Sequence, residues 1–338
     1  MGHEVTVITS NHGDQTLPEQ EERAGYYIYR CNEWFDIFGN SIAPSMLRDI
    51  IDLYKDADVV HAHSHLYFST NIAALISRIL DAPLIITNHG LYSQSAPKSI
   101  QDIHLSTITR CTYGFCDRIL CYTDTDKQRL IDRGIRTNIE VVHNGIDTNQ
   151  FKPIEGIEQK KQILFVGRLV ESKGPHILLE AFLDIHAKHP DWSLKFVGEG
   201  PLKTDLSDMV ISNNLESKIS FVGSLPNNEL PTVYSESAIF ALPSRVEGFP
   251  RTLLESLACE TPIITSDLPQ LASVLSNVGY ITNGRTGPEI KKGLQTLMTE
   301  DSRRKRMGKN GRELVRSDFS WNETVQSTTD IYYDLIQS

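Results

Sequence analysis

No stretch of the chain approaches the ~18 consecutive apolar residues that a membrane-crossing helix requires, so a spanning segment is excluded. The opening MGHEVTVITS has no basic leader ahead of an apolar run, and a secretion signal is not expected. Cysteine is scarce: five among 338 residues, an odd number, with no close pair at metal-site or redox spacing. Cys111, Cys116 and Cys121 are evenly spaced but would not share one helical face. The expectation is a reduced, cytoplasmic protein with buried thiols. Positive charge is also in deficit. The net charge is −10, and residues 1–150 hold 12 of the 33 Lys and Arg against 19 of the 43 Asp and Glu. That balance excludes general affinity for nucleic acid or for anionic lipid. The short basic run RRKRMGK (303–309) reads as a solvated helix face, and no tandem repeat of solenoid length occurs.

What is present is a regular alternation. In the first half HEVTVITS, GYYIYRC, DVVHAHS, PLIITNHG, RILCYT and IEVVHNG read as strands. Between most of them lie the helical stretches SMLRDIIDLYKDA, YFSTNIAALISRILDA, SIQDIHLSTITRCTYGFC and TDKQRLIDRG. The second half repeats the scheme with ILFVG, SLKFVGEG, KISFVGSL, AIFALPS, PIITSD and GYITN. Apolar, β-branched strands separated by helices mean parallel sheets covered on both faces. The polar segment 145–161, interrupted by Pro153 and Gly156, marks a seam. Domains are expected at 1–150 and 151–320, followed by a terminal helix in 321–338 that buries Trp321, Val325, Ile331, Tyr332 and Leu335.

Two segments carry chemistry. In PSRVEGFPRTLLESLACETP (243–262), Glu247 and Glu255 flank a Gly-Phe-Pro turn that opens a helix. Leu253, Leu254, Leu257 and Ala258 recur at helical spacing over Arg251–Glu260, and Pro250 suits the first helical position. A strand, a tight turn and a helix N-terminus together make a place that binds phosphate. In QILFVGRLVESKGPHILLEAF (162–182), a strand ends in Gly167 and Arg168, while Lys173 and Gly174 precede a second helix. A guanidinium fork and an ammonium point charge at one strand's carboxyl end suit a diphosphate. Two cations, a helix terminus and two carboxylates in successive loops describe a site for a nucleotide diphosphate bearing a hydroxyl-rich group.

Taken in order, VGRLVESKG, GEGPL (198–202), FVGSLPNNEL (221–230), Glu-x7-Glu, HNGID (143–147) and FSW (319–321) resemble the retaining glycosyltransferases of family four. The resemblance extends over nearly the whole chain. It implies an α/β protein of the GT-B class, two Rossmann-like domains with parallel sheets facing across a cleft. Residues 1–150 would take the acceptor and 151–320 the donor, with 321–338 crossing back to the first domain. Arg168 and Lys173 would neutralise the donor diphosphate, assisted by backbone N–H groups around Gly248, Phe249, Pro250 and Arg251. Glu247 would bond the sugar hydroxyls and Glu255 the ribose, with the base against the Glu199 and Leu225 loops, and Gly167 is a further donor-binding candidate. His89 would reach the sugar, and His63 and Asn144 are acceptor-side candidates. The family implies a UDP- or GDP-sugar as co-substrate, no cofactor, no metal, and a role in glycan biosynthesis. The acceptor (glycan, lipid or small molecule) stays open, as does peripheral contact at the inner membrane face.

The sequence departs from the family in places. It opens where relatives are already in their second strand, so their first strand, Gly-rich loop and first helix are expected to be missing. Glu260 stands where relatives commonly have glycine, and Gln270 where a glutamate is usual. A catalytically silent nucleotide-sugar-binding protein is therefore the alternative reading, and a GT-B epimerase a third, disfavoured by the Arg/Lys and Glu-x7-Glu arrangement. Plainer roles exist for each residue alone: Glu247 can cap a turn, Glu255 can be an exposed helical residue, and Arg168 can pair with an acid. His89 can satisfy a local backbone group. His61, His63 and His65 alternate in a pattern a metal could use, but a polar cluster at the loop ends fits better without an accompanying thiol or carboxylate.

Overall fold

A computed structural model describes residues 2–14, 16–91, 97–245, 247, 249–275 and 277–337. Packing divides the chain into two units, Met1–Val142 with Ser327–Ser338, and His143–Gln326.

In the first unit β1 (Thr6–Ser10), β2 (Gln20–Arg23) and β3 (Tyr26–Cys31) form a sheet in the order β1-β3-β2, β1 parallel and β2 antiparallel to β3. A separate hairpin joins β4 (Phe35–Ile37) to β5 (Asn40–Ile42). A parallel sheet then runs β6 (Val60–His63), β7 (Leu84–Asn88), β8 (Arg118–Cys121) and β9 (Asn138–Val141) in sequential order. β7 shows why the apolar run forms a central strand: it is buried throughout, and its side chains alternate between two cores. Leu84 and Ile86 pack with Ala74, Tyr113, Ile119 and Leu130. Ile85 packs on the other face with Leu120, Ile331 and Leu335. Neither β2 nor the β4–β5 hairpin is legible in the apolar pattern, because both are short and largely exposed.

The expected single helix over 99–116 is two, Lys98–Ser106 and Ile108–Gly114, broken at Thr107 (φ −120°, ψ −85°). The hydroxyls of Ser106 and Thr107 both donate back to Ile103 O, an alternative to helical backbone pairing. Trp321, expected inside, is exposed at the start of the helix Trp321–Gln337, whereas Ile331 and Leu335 are buried. The five thiols are free, and four are buried, but Cys111 is exposed on its helix. Among the described residues no helix is long and apolar enough to cross a membrane.

The second unit holds a six-stranded parallel sheet of β10 (Lys160–Val166), β11 (Ser193–Val197), β12 (Ile219–Phe221), β13 (Ser237–Leu242), β14 (Ile263–Thr265) and β15 (Gly279–Ile281). Their spatial order is β12-β11-β10-β13-β14-β15. Succession runs outward from β10 on one side and from β13 on the other. The β10/β13 pair is thus the switch point, where open α/β sheets leave a crevice beyond the strands' carboxyl ends. The basic run 303–309 is only partly solvated. Arg304 is buried, bonded to Asp301 and lying over the Trp192 ring, and Met307 and Gly308 are buried beside it.

Candidate active site

The site is built from loops at the carboxyl ends of the second unit's strands. After β10 the chain passes Gly167 and Arg168, makes a short turn over Glu171–Lys173 and enters the helix Pro175–Leu183 through Gly174. Gly174 has φ +70°, and a Cβ there would sit 2.2 Å from Pro243 O, so this turn lies directly against the segment leaving β13. Arg245 N donates to Ser172 O (2.8 Å), fastening the same two segments. As a result Lys173 Nζ donates to Glu247 Oε1 at 2.5 Å, and Ser244 Oγ donates to the same oxygen at 2.7 Å. The Glu247 side chain is almost wholly buried and that of Lys173 mostly so.

The neighbouring loops close on this pair by glycine contacts. A Cβ on Gly198 would fall 2.0 Å from Gly167 O, and one on Gly200 2.4 Å from Leu169 O. Gly167 N donates to Val197 O, Leu169 N to Glu199 O, and Gly198 N to Gly223 O. Gly167, Glu199 and the 222–225 segment therefore share one edge of the sheet. Glu199 is exposed and bonded to Lys203, Leu225 is half-buried, and Arg168 is exposed at the end of β10.

The Glu-x7-Glu helix spans Arg251–Ala258 with Pro250 as its N-cap, one residue earlier than the first helical position expected. Leu253, Leu254, Leu257 and Ala258 are all buried. Arg251 is exposed. Gly248 lies outside the described residues. Phe249 is buried and stacks on Phe319 (centroids 5.3 Å apart, 9° between planes), so its ring serves packing. Glu255 is buried, not exposed, and accepts from Tyr234 Oη at 3.0 Å; burial pushes its carboxyl above the usual range. Asn144 is half-buried beside Gly145, whose missing side chain admits Thr324 and the Ser320 backbone.

Sequence reasoning missed Ser244, Tyr234 and Arg285. Arg285 donates to Asp267 O and to Arg245 O, both at 3.1 Å, and so ties two further strand-end loops together. Position after a strand is the signal that could have found Ser244 and Arg285. No signal in the chain joins Tyr234 to Glu255.

In the first unit the histidines at the ends of β6 and β7 form a linked group. His63 Nδ1 lies 3.1 Å from His89 Nε2, and Tyr122 Oη lies 2.8 Å from His89 Nδ1. His61 stacks on His63 (4.7 Å) and uses both ring nitrogens, toward Tyr332 Oη (2.5 Å) and Thr87 Oγ1 (2.6 Å). Burial lowers the pKa of all three, to about 3 for His61 and about 4 for His89, where mutual repulsion adds to it; His63 is lowered by burial alone. They are neutral at neutral pH. His65 does not join them. Ser64 takes a left-handed conformation (φ +62°), and His65 turns inward to Tyr113 Oη at 2.8 Å. His61, His63 and His65 therefore do not converge as the alternating pattern would require for a shared metal. At the ends of β1 and β3, His12 Nδ1 lies 2.7 Å from Glu33 Oε2, and that bond raises the His12 pKa.

Comparison with known proteins agrees with this layout. The family model Glycosyltransferase Family 4 matches residues 1–150, and Glycosyl transferases group 1 matches 147–314. The chain is 27% identical over 281 residues to an uncharacterized glycosyltransferase of Methanocaldococcus jannaschii, covering 82% of this chain and 76% of that protein. It is 24% identical to the phosphatidylinositol N-acetylglucosaminyltransferase GPI3 subunit of Saccharomyces cerevisiae, over 99% of this chain and 76% of the relative. Anabaena HepE, solved in complex with UDP and glucose, superposes with a TM-score of 0.75 at 18% identity, over 90% of this chain and 85% of that one. A Rossmann-like sheet with its loop cluster at the switch point, two family models spanning residues 1–314 and structural neighbours of the GT-B class agree, and the chain belongs to the family-four glycosyltransferases, enzymes of the GT-B fold.

Proposed function

We propose that the chain is a retaining transferase that moves a sugar from a UDP- or GDP-sugar to an acceptor hydroxyl, without a metal ion. The observation that carries this reading is the Lys173–Glu247 contact at the β10/β13 switch point. A cation and a carboxylate held side by side match a ligand with a phosphate at one end and sugar hydroxyls at the other. HepE, a structural neighbour, binds UDP and glucose, which supports the same donor class here.

In this reading the anomeric C–O bond breaks, and its electron pair leaves on the diphosphate. Arg168, Lys173 and the N–H groups opening the helix Arg251–Ala258 stabilise that growing charge. The acceptor oxygen bonds the anomeric carbon from the face of departure, and its proton passes to the leaving phosphate oxygen. Glu247 orients the sugar and Glu255 the ribose. His89 is neutral and bonded to Tyr122, so any contact it makes is a hydrogen bond rather than a charge interaction.

Incubation with a panel of UDP- and GDP-sugars tests the proposal through slow release of free nucleotide. Replacing Arg168 or Lys173 by Ala is expected to cut that rate about 10²–10³-fold, as for loss of a donor that stabilises developing charge. Donor binding with no release, or an isomerised donor, overturns it, and strict loss of turnover in chelator overturns its metal-free part.

A further inference from the structure

Tyr234 is a buried titratable group to which the transfer chemistry above gives no part. It is wholly buried, on the helix Leu230–Glu236 that follows the Leu225 segment. Its ring lies edge-to-face with two others, 5.6 Å from the Phe240 centroid and 6.4 Å from that of Phe151. Close packing of this kind holds the ring in one orientation and so fixes where its hydroxyl points.

The hydroxyl points at Glu255. Tyr234 Oη donates to Glu255 Oε2 at 3.0 Å, and Thr261 Oγ1 donates to Tyr234 O at 2.7 Å. These two buried bonds, one to each end of the tyrosine, join its helix to the helix Arg251–Ala258 and to the turn that follows it. Burial, and then the neighbouring carboxylate, push the phenol well above its ordinary range, so Tyr234 keeps its proton and is the donor of the pair. Glu255 is only 6% exposed, and a carboxyl so enclosed gains from each further hydroxyl that donates to it. The segment ahead of the tyrosine's helix is itself fastened to the strand ends, because Gly223 O accepts from Gly198 N at 2.7 Å. One short helix therefore stands behind both the segment expected to meet the base and the carboxylate expected to meet the ribose.

We infer that Tyr234 is a positioning residue that sets the site's preference for ribose. By taking one oxygen of Glu255, it turns the other to accept from a ribose hydroxyl. The ligand class selected in this way is a ribonucleoside diphosphate, over its deoxyribose counterpart. Tyr234 acts from beneath Glu255 and touches no part of the donor. The inference rests on the assignment of Glu255 to the ribose and deepens it.

The probes are UDP and GDP, each titrated calorimetrically beside its 2′-deoxy and 3′-deoxy analogues. A hydrogen bond to a charged group is strong enough that the unmutated chain should prefer the ribonucleotide about tenfold or more over at least one analogue. Tyr234→Phe keeps the ring and its packing. It should bring that preference down to about twofold while leaving affinity for the deoxy analogue within about twofold. Glu255→Gln should lose the preference as well, and adding Tyr234→Phe to it should change nothing further, since the tyrosine works only through that carboxylate. Each variant is titrated in the cold, after circular dichroism has shown it to be folded, so that a moderate loss of stability does not obscure the result. Equal weakening of ribo and deoxy ligands by Tyr234→Phe overturns the inference, because a purely structural role predicts it. A Tyr234→Phe effect that persists in the Glu255→Gln background also overturns it, as does an unmutated chain that binds all three sugars alike. In these cases the nucleotide still binds and the donor reading stands, whereas failure of both UDP and GDP to bind overturns the donor reading itself.

Discussion

Gly174→Ala adds a single methyl group at the hinge of the proposed donor pocket. Gly174 has φ +70°, and its added Cβ would lie 2.2 Å from Pro243 O and 3.1 Å from the Pro243 carbonyl carbon. The left-handed conformation costs a non-glycine residue about 1–2 kcal/mol. The overlap is with backbone, so it is relieved only by moving one of the two segments, and overpacking of this kind adds about 1–3 kcal/mol. With about 2–4 °C per kcal/mol, the melting transition of the second unit should fall by roughly 10 °C. Restoring ordinary contact takes a displacement of about 1 Å, between the turn that carries Lys173 and the segment that carries Ser244 and Glu247. A misplacement of that size costs about 10²-fold in rate. Calorimetry and nucleotide release measure the two effects on the same preparation. A melt within about 2 °C of the unmutated protein, with turnover within about threefold, would refute the reasoning about how these loops are joined.

Three other changes have defined outcomes. His61 and His65 stay neutral in the folded first unit down to about pH 3, whereas in the unfolded chain they protonate near the ordinary imidazole value of 6.5. Their contribution is fully present above pH 6.5 and is lost as pH falls toward 3, at about 1.4 kcal/mol per pH unit for each. His65→Gln should remove about one proton's worth of that slope in urea titrations between pH 7 and 4.5, and an unchanged slope would count against it. Glu260 holds φ +60° after the Arg251–Ala258 helix, and its ion pair with Arg312 is loose at 3.8 Å. Glu260→Gly should therefore raise the melting temperature by about 2–4 °C, and a lower one would show that the left-handed strain is absent. Tyr332→Phe removes the hydroxyl that holds His61 against His63. Loss of about 1 kcal/mol of positioning should reduce kcat about fivefold with donor affinity unchanged, whereas a parallel fall in donor affinity would assign Tyr332 a purely structural role.

Several parts of the fold and site were legible residue by residue. The strands Leu84–Asn88 and Ser237–Leu242 stand out as apolar runs bounded by turn residues, since a strand buried on both faces needs nothing else. The cations and carboxylates stand out because they follow such strands, and the glycines because close loop approach leaves no room for a Cβ. Glu260 is explained by its backbone: a position with φ +60° is one where relatives' glycine is the unstrained choice. The β4–β5 hairpin was not legible, because three-residue strands carry too little periodicity. The inward turn of His65 was not either, since the pattern places it with His61 and His63 and only the conformation of Ser64 removes it. Burial of Arg304 over Trp192 likewise joins residues far apart in the chain.

Short-range order was therefore set by the chain itself: which runs become strands or helices, and which polar groups stand at strand ends, follow from side-chain period and turn chemistry between near neighbours. Only the tertiary structure decided that β10 lies beside β13, that Lys173 meets Glu247 across 74 positions, and that Glu255 faces Tyr234. Those pairings are chosen by how sheets order their strands and how helices pack on them, and burial then converts an ordinary exposed carboxylate or imidazole into one with a fixed partner and a shifted proton affinity.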